Sequence, residues 1–288
     1  MGASAPAYAK LNLSLDILGK RSDGYHDMRM VMQSISLCDD VSLQDSTVPG
    51  VRVSSNMSFL PTGSDNIAAK AAVAFFKALD KPCPDLDIHI EKHTPVCAGM
   101  AGGSSDGAAV LRLLRESRAP HMGREELEAI AAQVGSDVPF CVRGGTVLCE
   151  GRGELMTDLP PLPPCWFTVV KPDFPISTPE LFAQVRTRSL RCHPDTQGMI
   201  EALQAQDLDG IAHRLYNVFE DVLPWQYREV MEIKHRLLTL GAMAASMTGS
   251  GPTVFGLFED RDTAEEAADT IKKTYSAVFS AAPAGPSV

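Results

Sequence analysis

A run of small residues over positions 95–107, Pro-Val-Cys-Ala-Gly-Met-Ala-Gly-Gly-Ser-Ser-Asp-Gly, has the composition of an anion-binding loop. Ala109 and Leu113 share one face at helical spacing, as do Val110 and Leu114, so a helix is predicted to follow. Small residues let a backbone approach a ligand closely, and the first amides of a helix lie unpaired at the positive end of its dipole. The stretch is therefore typical of a phosphate cradle. A glycine-rich turn with a serine N-cap has the same composition.

Two further polar groups could do chemistry on an anion. Residues 8–17 alternate between apolar and polar types, which predicts a strand with Lys10 and Asn12 on one face. A solvent-exposed outer face would show the same pattern. Asp137 follows an amphipathic helix predicted over 124–134, and its position alone indicates an aspartate in a turn at the helix exit.

The segment after Asp137 is predicted to leave the helix abruptly. Gly135 stands where helices often end, and Pro139 biases Val138 towards an extended conformation. The Gly144-Gly145 pair then predicts a hairpin over residues 141–148.

The remaining elements must position these groups, and most can be predicted from periodicity. Asp65 or Asn66 is expected to cap a helix that runs to about Leu79. Asp262 with Glu265 resembles a capping box at the start of the last helix. Strands are predicted at 30–43, 51–53, 86–91, 166–170 and on both sides of a turn within 244–258, with helices after 175–179 and over most of 198–240. The tail from Ser280 is expected to be poorly ordered.

Composition excludes several classes of protein. The 288 residues are 44% hydrophobic and 22% charged, which is typical of a globular protein with a large core. The net charge of −10, with no concentrated block of basic residues, disfavours nucleic-acid binding. Seven cysteines without a CxxC pair favour reduced thiols over a disulfide framework or a structural zinc site. No stretch resembles a signal peptide or a membrane span, so a cytoplasmic location without membrane contact is expected.

Three blocks in order carry a resemblance to a known family: Ala-Tyr-Ala-Lys-Leu-Asn-Leu at 7–13, the glycine-rich stretch at 95–108, and Met-Thr-Gly-Ser-Gly-Pro-Thr-Val-Phe at 247–255. The chain resembles the GHMP kinase superfamily. Segments 21–26, 135–140 and 144–154 make it most similar to the subgroup that acts on a cytidine-diphosphate-linked methylerythritol in the non-mevalonate isoprenoid pathway.

The resemblance implies an α+β fold of two domains with the active site in the cleft between them. The Pro-rich segment 159–164 places the expected border between residues 1–158, which would bind ATP, and residues 159–288. The implied reaction transfers the γ-phosphoryl group of ATP, with magnesium, to the 2-hydroxyl of the small-molecule substrate. A monomer or a weak homodimer is expected.

The resemblance also assigns roles to residues of this chain. Asp137 would accept or orient the proton of the substrate hydroxyl, and Lys10 would stabilise the transferring phosphoryl group. Ser105 would be the protein hydroxyl nearest the magnesium ion. Substrate would be bound by Asn12, Tyr25, His26, Thr178, Phe182, Gly249 and Ser250, and ATP by Asn66, Lys92, Pro95, Gly99, Met100, Ala101, Gly102, Gly103, Ser104 and Ser105. An alanine at position 101 is expected to need a negative φ.

Two alternatives stay open at this point. Another GHMP kinase, acting on mevalonate, homoserine or a sugar, would have no base to stack on Tyr25 and His26. A non-catalytic sensor on the same fold would have no need of Lys10 together with Asp137.

Overall fold

The computed structural model describes residues 2–185 and 190–287 and opens with a long antiparallel hairpin of β1 (Ala3–Lys20) and β2 (His26–Asp45). The first half continues with β3 (Val51–Ser55), α1 (Ile67–Ala78), β4 (Leu86–Glu91), α2 (Gly102–Arg118), α3 (Arg124–Ala132), α4 (Val138–Arg143), β5 (Thr146–Gly151) and β6 (Leu155–Asp158). β4 and β5 both pair with the edge of β2 opposite β1, β3 runs parallel to β4, and β6 pairs with β5.

The second half builds an antiparallel four-stranded sheet. Its elements are β7 (Trp166–Lys171), α5 (Thr178–Gln184), α6 (Thr196–Ala205), α7 (Leu208–Ala212), β8 (Tyr216–Asn217), α8 (Glu229–Thr239), β9 (Ala244–Met247), β10 (Val254–Phe258), α9 (Arg261–Ile271) and β11 (Ala277–Ala281). The sheet has the order β11-β7-β10-β9, whereas β8 returns to pair with β1 in the first sheet. The domain border at 158/159 stays a prediction. None of the described helices combines the length and the apolar character that crossing a bilayer requires.

Strand β1 connects two hydrophobic cores. Ala9, Leu11 and Leu13 pack in one buried cluster with residues of β7 and α6, whereas Leu15 and Ile17 pack in the other. The pairing of β1 with β2 shifts register between Tyr8 and Lys10 and again between Asn12 and Ser14. Because side chains alternate strictly along a regular strand, such irregularities are what allow apolar side chains to change faces.

The helix before Asp137 does end ahead of Gly135, but the extended conformation predicted for Val138 and the hairpin over 141–148 are wrong. Asp137 is the N-cap residue of α4, with Pro139 in its first turn, and β5 pairs with β2 instead of folding back on residues 141–143. Proline has no backbone N–H, but the N–H groups of the first helical turn have no partner within the helix, so nothing is lost there. The fixed φ of proline also suits a helix. Pro139 therefore lies in a new helix, which starts directly after Asp137.

Two expectations near the C-terminus are also wrong. Asp260, not Asp262, caps α9 by accepting from Thr263 N (2.8 Å), while Glu265 pairs with Arg261 (2.6 Å). The tail beyond Ser280 is bound to the first sheet and to the end of α4: Ala284 N donates to Ser34 O (2.8 Å) and Ser287 N to Arg143 O (2.8 Å). Backbone pairing can order a proline-rich segment that periodicity leaves unassigned.

We expect Gly144→Ala to lower the free energy of unfolding by about 2 kcal/mol, and Tm by roughly 4–8 °C. Gly144 has φ +69, and a Cβ there would lie 2.7 Å from Ser287 N, so an alanine would displace the tail from the end of α4. Differential scanning calorimetry measures the change. Gly285→Ala is the matched control, because a Cβ on that tail glycine has nothing within 4 Å. Equal Tm values for the two variants would show that the tail is not held at Gly144.

Candidate active site

Lys10 lies in the buried part of β1, next to the glycine-rich loop. Its backbone amide donates to Met100 O (3.1 Å), and its ammonium group donates to Asn12 Oδ1 (2.6 Å). The residue is only 4% exposed, so the polar face of β1 is not solvent-exposed surface. Burial lowers the pKa of Lys10 below the ordinary lysine value, and the negative charge of Asp137 opposes that shift.

The Asn12 carboxamide joins Lys10 to a second loop, residues 248–251. Besides accepting from Lys10, Asn12 Oδ1 accepts from Gly249 N (2.9 Å), while Asn12 N donates to Thr248 Oγ1 (3.0 Å). Asn12 is 1% exposed, and its Nδ2 faces Met30 Sδ (3.4 Å). Thr248 Oγ1 also donates to Oδ1 (3.3 Å), and since all three partners of this oxygen are donors, the orientation of the amide is fixed. Asn12 therefore positions the ammonium group against the Gly249 loop.

Gly99 and Gly249 allow the two loops to meet backbone to backbone. A Cβ on Gly249 would lie 2.7 Å from Gly99 O and 3.3 Å from Lys10 Nζ, and one on Gly99 would lie 3.1 Å from Gly251 O. The φ angles are +73 at Gly99 and +57 at Gly249, both in the left-handed region. Glycine is required at both positions because any side chain would force the loops apart.

Asp137 faces the same space from the N-terminus of α4, where it is half-buried. This main cavity has a volume of about 710 Å³. It brings together Lys10, Asn12, Tyr25, His26, Gly99, Ala101, Asp137, Thr178, Phe182, Gly249 and Ser250. An ammonium group and a carboxylate at the junction of two glycine loops can stabilise a transferring phosphoryl group and accept a hydroxyl proton.

Aromatic rings form the other end of the main cavity. His26 stacks on Phe182 with centroids 4.9 Å apart and planes at 25°, and Phe219 meets the edge of Phe182 at 4.9 Å. Burial, with the positive charge of Lys20, lowers the pKa of His26, which favours a neutral imidazole. Thr178 Oγ1 and Ser250 Oγ share a hydrogen bond (2.7 Å) that ties α5 to the Gly249 loop. The sequence analysis missed Phe219.

A smaller cavity of about 230 Å³ lies on the other side of the glycine-rich loop. Eight of the residues predicted to bind ATP line it: Asn66, Lys92, Pro95, Gly99, Ala101, Gly102, Gly103 and Ser104. Gly99 and Ala101 line both cavities, so the two meet at this loop. α2 begins at Gly102, and its unpaired first-turn amides are therefore beside the smaller cavity.

Two predicted site residues lie elsewhere. The Met100 side chain is 1% exposed and packs in a hydrophobic core, so only its backbone is near Lys10. Ser105 is also 1% exposed, and its hydroxyl donates to Gly102 O (2.8 Å). The geometry does not support Ser105 as a magnesium ligand, and no group of three or more His, Cys, Asp or Glu side chains in the described residues could hold a metal ion.

Ala101 contradicts the expectation of a negative φ. It adopts the left-handed conformation (φ 60, ψ 26) as the N-cap residue of α2, and Ser105 N donates to Ala101 O (2.8 Å). A serine N-cap is also wrong, because both serines lie inside the first turn. A left-handed alanine costs roughly 1–2 kcal/mol, and such strain is typical of functional loops.

Two acidic side chains bind the ammonium group of Lys92. Its ammonium group donates to Asp39 and to Asp106 Oδ2 (2.9 Å), and all three residues are buried. Burial raises the pKa of Asp106 to about 7, against the opposing charge of Lys92. Asp39 Oδ1 also accepts from Thr94 N (2.7 Å), at the start of the glycine-rich loop. The sequence analysis missed both acids, which no short motif marks.

Asn217 and Glu220 hydrogen-bond to the backbone at the start of the Gly249 loop, and the sequence analysis missed both residues. Asn217 Nδ2 donates to Met247 O (2.7 Å) and Gly249 O (2.8 Å), and Glu220 Oε1 accepts from Met247 N (2.7 Å). Because a helix was predicted over most of 198–240, neither residue was recognised as part of the site. Asn217 caps a short turn by accepting from Phe219 N (3.0 Å), and that capping residue was the available signal.

Comparison with known sequences agrees with this geometry. Residues 66–145 match the family model for the GHMP kinases N terminal domain, and residues 199–277 match that for the GHMP kinases C terminal. A 4-diphosphocytidyl-2-C-methyl-D-erythritol kinase from Lachnoclostridium phytofermentans is 43% identical over 92% of this chain and 90% of its own length. The chain belongs to the GHMP kinase family.

Three further proteins extend the comparison. The 4-diphosphocytidyl-2-C-methyl-D-erythritol kinase of Clostridium tetani is 42% identical over 95% of this chain and 97% of its own length. A crystal structure of 4-(cytidine 5'-diphospho)-2C-methyl-D-erythritol kinase has a TM-score of 0.84 and 30% identity, covering 98% of this chain and 100% of that one. L. major mevalonate kinase, at 18% identity and a TM-score of 0.77 over 99% and 97% of the two chains, shares the fold. The predicted α+β, two-domain fold is confirmed.

We expect Gly249→Ala to lower kcat/KM about 100-fold, in addition to a loss of Tm similar to that expected for Gly144→Ala. The new Cβ would push the Gly249 loop from Gly99 and from the Lys10 ammonium group. Steady-state kinetics measure the change. Gly123→Ala is the matched control, since that glycine precedes α3 and a Cβ there has nothing within 4 Å. Wild-type kinetics in Gly249→Ala would contradict the close packing of the two loops.

The lowered pKa of Lys10 predicts an alkaline limit to activity. The ammonium form is present below the pKa and is lost as pH rises through it, so kcat/KM should fall at a pH below the ordinary lysine value. Lys10→Arg keeps its charge at any accessible pH, and its residual activity should lack this limb. The pH profiles of kcat/KM for both proteins test this. An unchanged alkaline limb in Lys10→Arg would assign it to another group.

Proposed function

We propose that this chain is an ATP-dependent kinase that phosphorylates the 2-hydroxyl of 4-diphosphocytidyl-2-C-methyl-D-erythritol, a step of the non-mevalonate isoprenoid pathway. The observation that carries the proposal is one cavity with Lys10 and Asp137 at one end and the stacked His26 and Phe182 at the other. Relatives that match nearly the whole chain bear this activity in their names. The proposal also draws on the 30% identical crystal structure.

The chemistry follows from the positions of these groups. With the base of the substrate beside His26 and Phe182, its hydroxyl lies near Asp137, and the ATP phosphates lie along the glycine-rich loop and the first turn of α2. Asp137 accepts or orients the hydroxyl proton, and the Lys10 ammonium group stabilises the negative charge on the transferring phosphoryl group. Asn12 keeps Lys10 in place.

ATP is the co-substrate of kinases of this family, and magnesium is proposed to accompany it. Magnesium is bound mainly by phosphate oxygens and water in such enzymes, and it neutralises phosphate charge. Because the Ser105 hydroxyl is buried and donates to Gly102 O, no protein ligand is assigned to the magnesium ion. The cytoplasmic location, the absence of nucleic-acid or membrane partners, and the monomeric or weakly dimeric state stay predictions.

Turnover of ATP with three acceptors tests the proposal. We expect phosphorylation of 4-diphosphocytidyl-2-C-methyl-D-erythritol, and none of mevalonate or homoserine, because only the first has a base for His26 and Phe182. Asp137→Asn should bind ATP with wild-type affinity and lose at least ~100-fold in kcat. Activity only on mevalonate or homoserine would overturn the assigned substrate, and binding without any turnover would favour a sensor.

A further inference from the structure

The turn between β5 and β6 holds one arginine rigidly. Gly151 (φ +69) and Gly153 (φ +110) adopt left-handed conformations on either side of Arg152. The Glu154 carboxylate folds back over the turn, and its Oε2 accepts from Arg152 N (2.6 Å). Glycine adopts these φ angles without steric cost, and the hydrogen bond to Glu154 restricts the turn from which Arg152 projects. The sequence segment 144–154 carried the resemblance to the subgroup, yet Arg152 received no role there.

The side chain of Arg152 lies at the rim of the main cavity. Its guanidinium carbon is 3.7 Å from the centroid of the Tyr25 ring, a cation–π contact, and both residues line the cavity. Tyr25 is 53% exposed, so the contact is open to a ligand. Stacking occupies the face of the guanidinium group and leaves its N–H donors, which point outward in its plane, available.

The charges around the cavity single out Arg152. Among the described residues, three charged side chains line it: Lys10, Asp137 and Arg152. Lys10 is buried and hydrogen-bonded to Asn12 at the catalytic end. No carboxylate of the described residues lies within 4.0 Å of the Arg152 guanidinium group. Asp23 is near enough to interact with Arg152 electrostatically, but its hydrogen bonds are to Arg21 Nε (3.1 Å) and Tyr25 N (3.1 Å). Within the part of the chain that the structure describes, Arg152 is therefore the exposed cation of the main cavity that forms no ion pair.

We propose that Arg152 binds the diphosphate group of the nucleotide substrate, with Tyr25 orienting its guanidinium plane; this rests on the proposed function. A ligand with its base at His26 and its reacting hydroxyl at Asp137 carries the diphosphate between these points. A planar guanidinium group forms paired hydrogen bonds to phosphate oxygens. In a chain with a net charge of −10, such a local cation offsets the general repulsion of an anionic substrate.

Equilibrium binding of cytidine and of CDP, measured by calorimetry without ATP, tests the proposal. Arg152→Gln should weaken CDP binding roughly 10- to 100-fold and change cytidine binding less than about twofold, because only CDP carries the phosphates. Arg152→Lys, which keeps the charge but loses the paired geometry, should lie between wild type and Arg152→Gln. The matched control is Arg29→Gln, which removes a nearby arginine that pairs with Glu150 (2.9 Å) outside the cavity. It should bind both ligands as the wild type does.

The outcomes separate this inference from the proposed function. If Arg152→Gln loses affinity for cytidine and CDP equally, Arg152 acts on the base through Tyr25 and the diphosphate assignment is overturned. Unchanged CDP affinity overturns it as well. In both cases the cytidine affinity of the wild type still supports the nucleotide pocket, whereas a wild type that binds neither ligand overturns the proposed function together with this inference.

Discussion

The hydrogen bonds of the Asn12 carboxamide are the interaction on which the reacting centre depends. One oxygen accepts from the Lys10 ammonium group and from Gly249 N, and it thereby connects the first strand to a loop near the end of the chain. Losing this acceptor would leave two buried donors unpaired, which costs more than an ordinary hydrogen bond contributes. A buried amide gives Lys10 a fixed direction without neutralising it, whereas a carboxylate in its place would.

Other buried polar side chains around the site also position neighbouring groups. Asn217 and Glu220 hold the backbone at the start of the Gly249 loop, and neither lines the main cavity. Beside the smaller cavity, Lys92 is bound by Asp39 and Asp106. Buried side chains that hydrogen-bond to a loop backbone restrict the conformation of that loop. These side chains thereby fix the two loop backbones that face the cavities, while other side chains of the cavities can contact a ligand directly.

Sequence periodicity predicts what is local, and it does so well here. The alternation in β1 places Lys10 and Asn12 on one face, and the structure joins them directly. It could not reveal that Asn12 meets Thr248, 236 positions away, since no local rule encodes that contact. The effect of Pro139 was mispredicted because a proline is compatible both with the end of one helix and with the first turn of the next, and the local sequence does not distinguish the two. The family resemblance supplied the roles of Lys10 and Asp137, and it passed over Asn217.

The charge distribution of the chain bears on how it binds anionic substrates. The chain carries a net charge of −10, yet both proposed substrates, ATP and 4-diphosphocytidyl-2-C-methyl-D-erythritol, carry negatively charged phosphate groups. Lys92 contributes little net field, since two buried carboxylates share it, even with the pKa of Asp106 raised to about 7. In the described residues we infer that attraction comes from the N-terminus of α2, from the buried Lys10 and from Arg152 at the rim of the main cavity, and that the low dielectric strengthens the field of the buried groups most. A surface that repels anions elsewhere confines their binding to these points, and the acidity of the chain then favours selective binding.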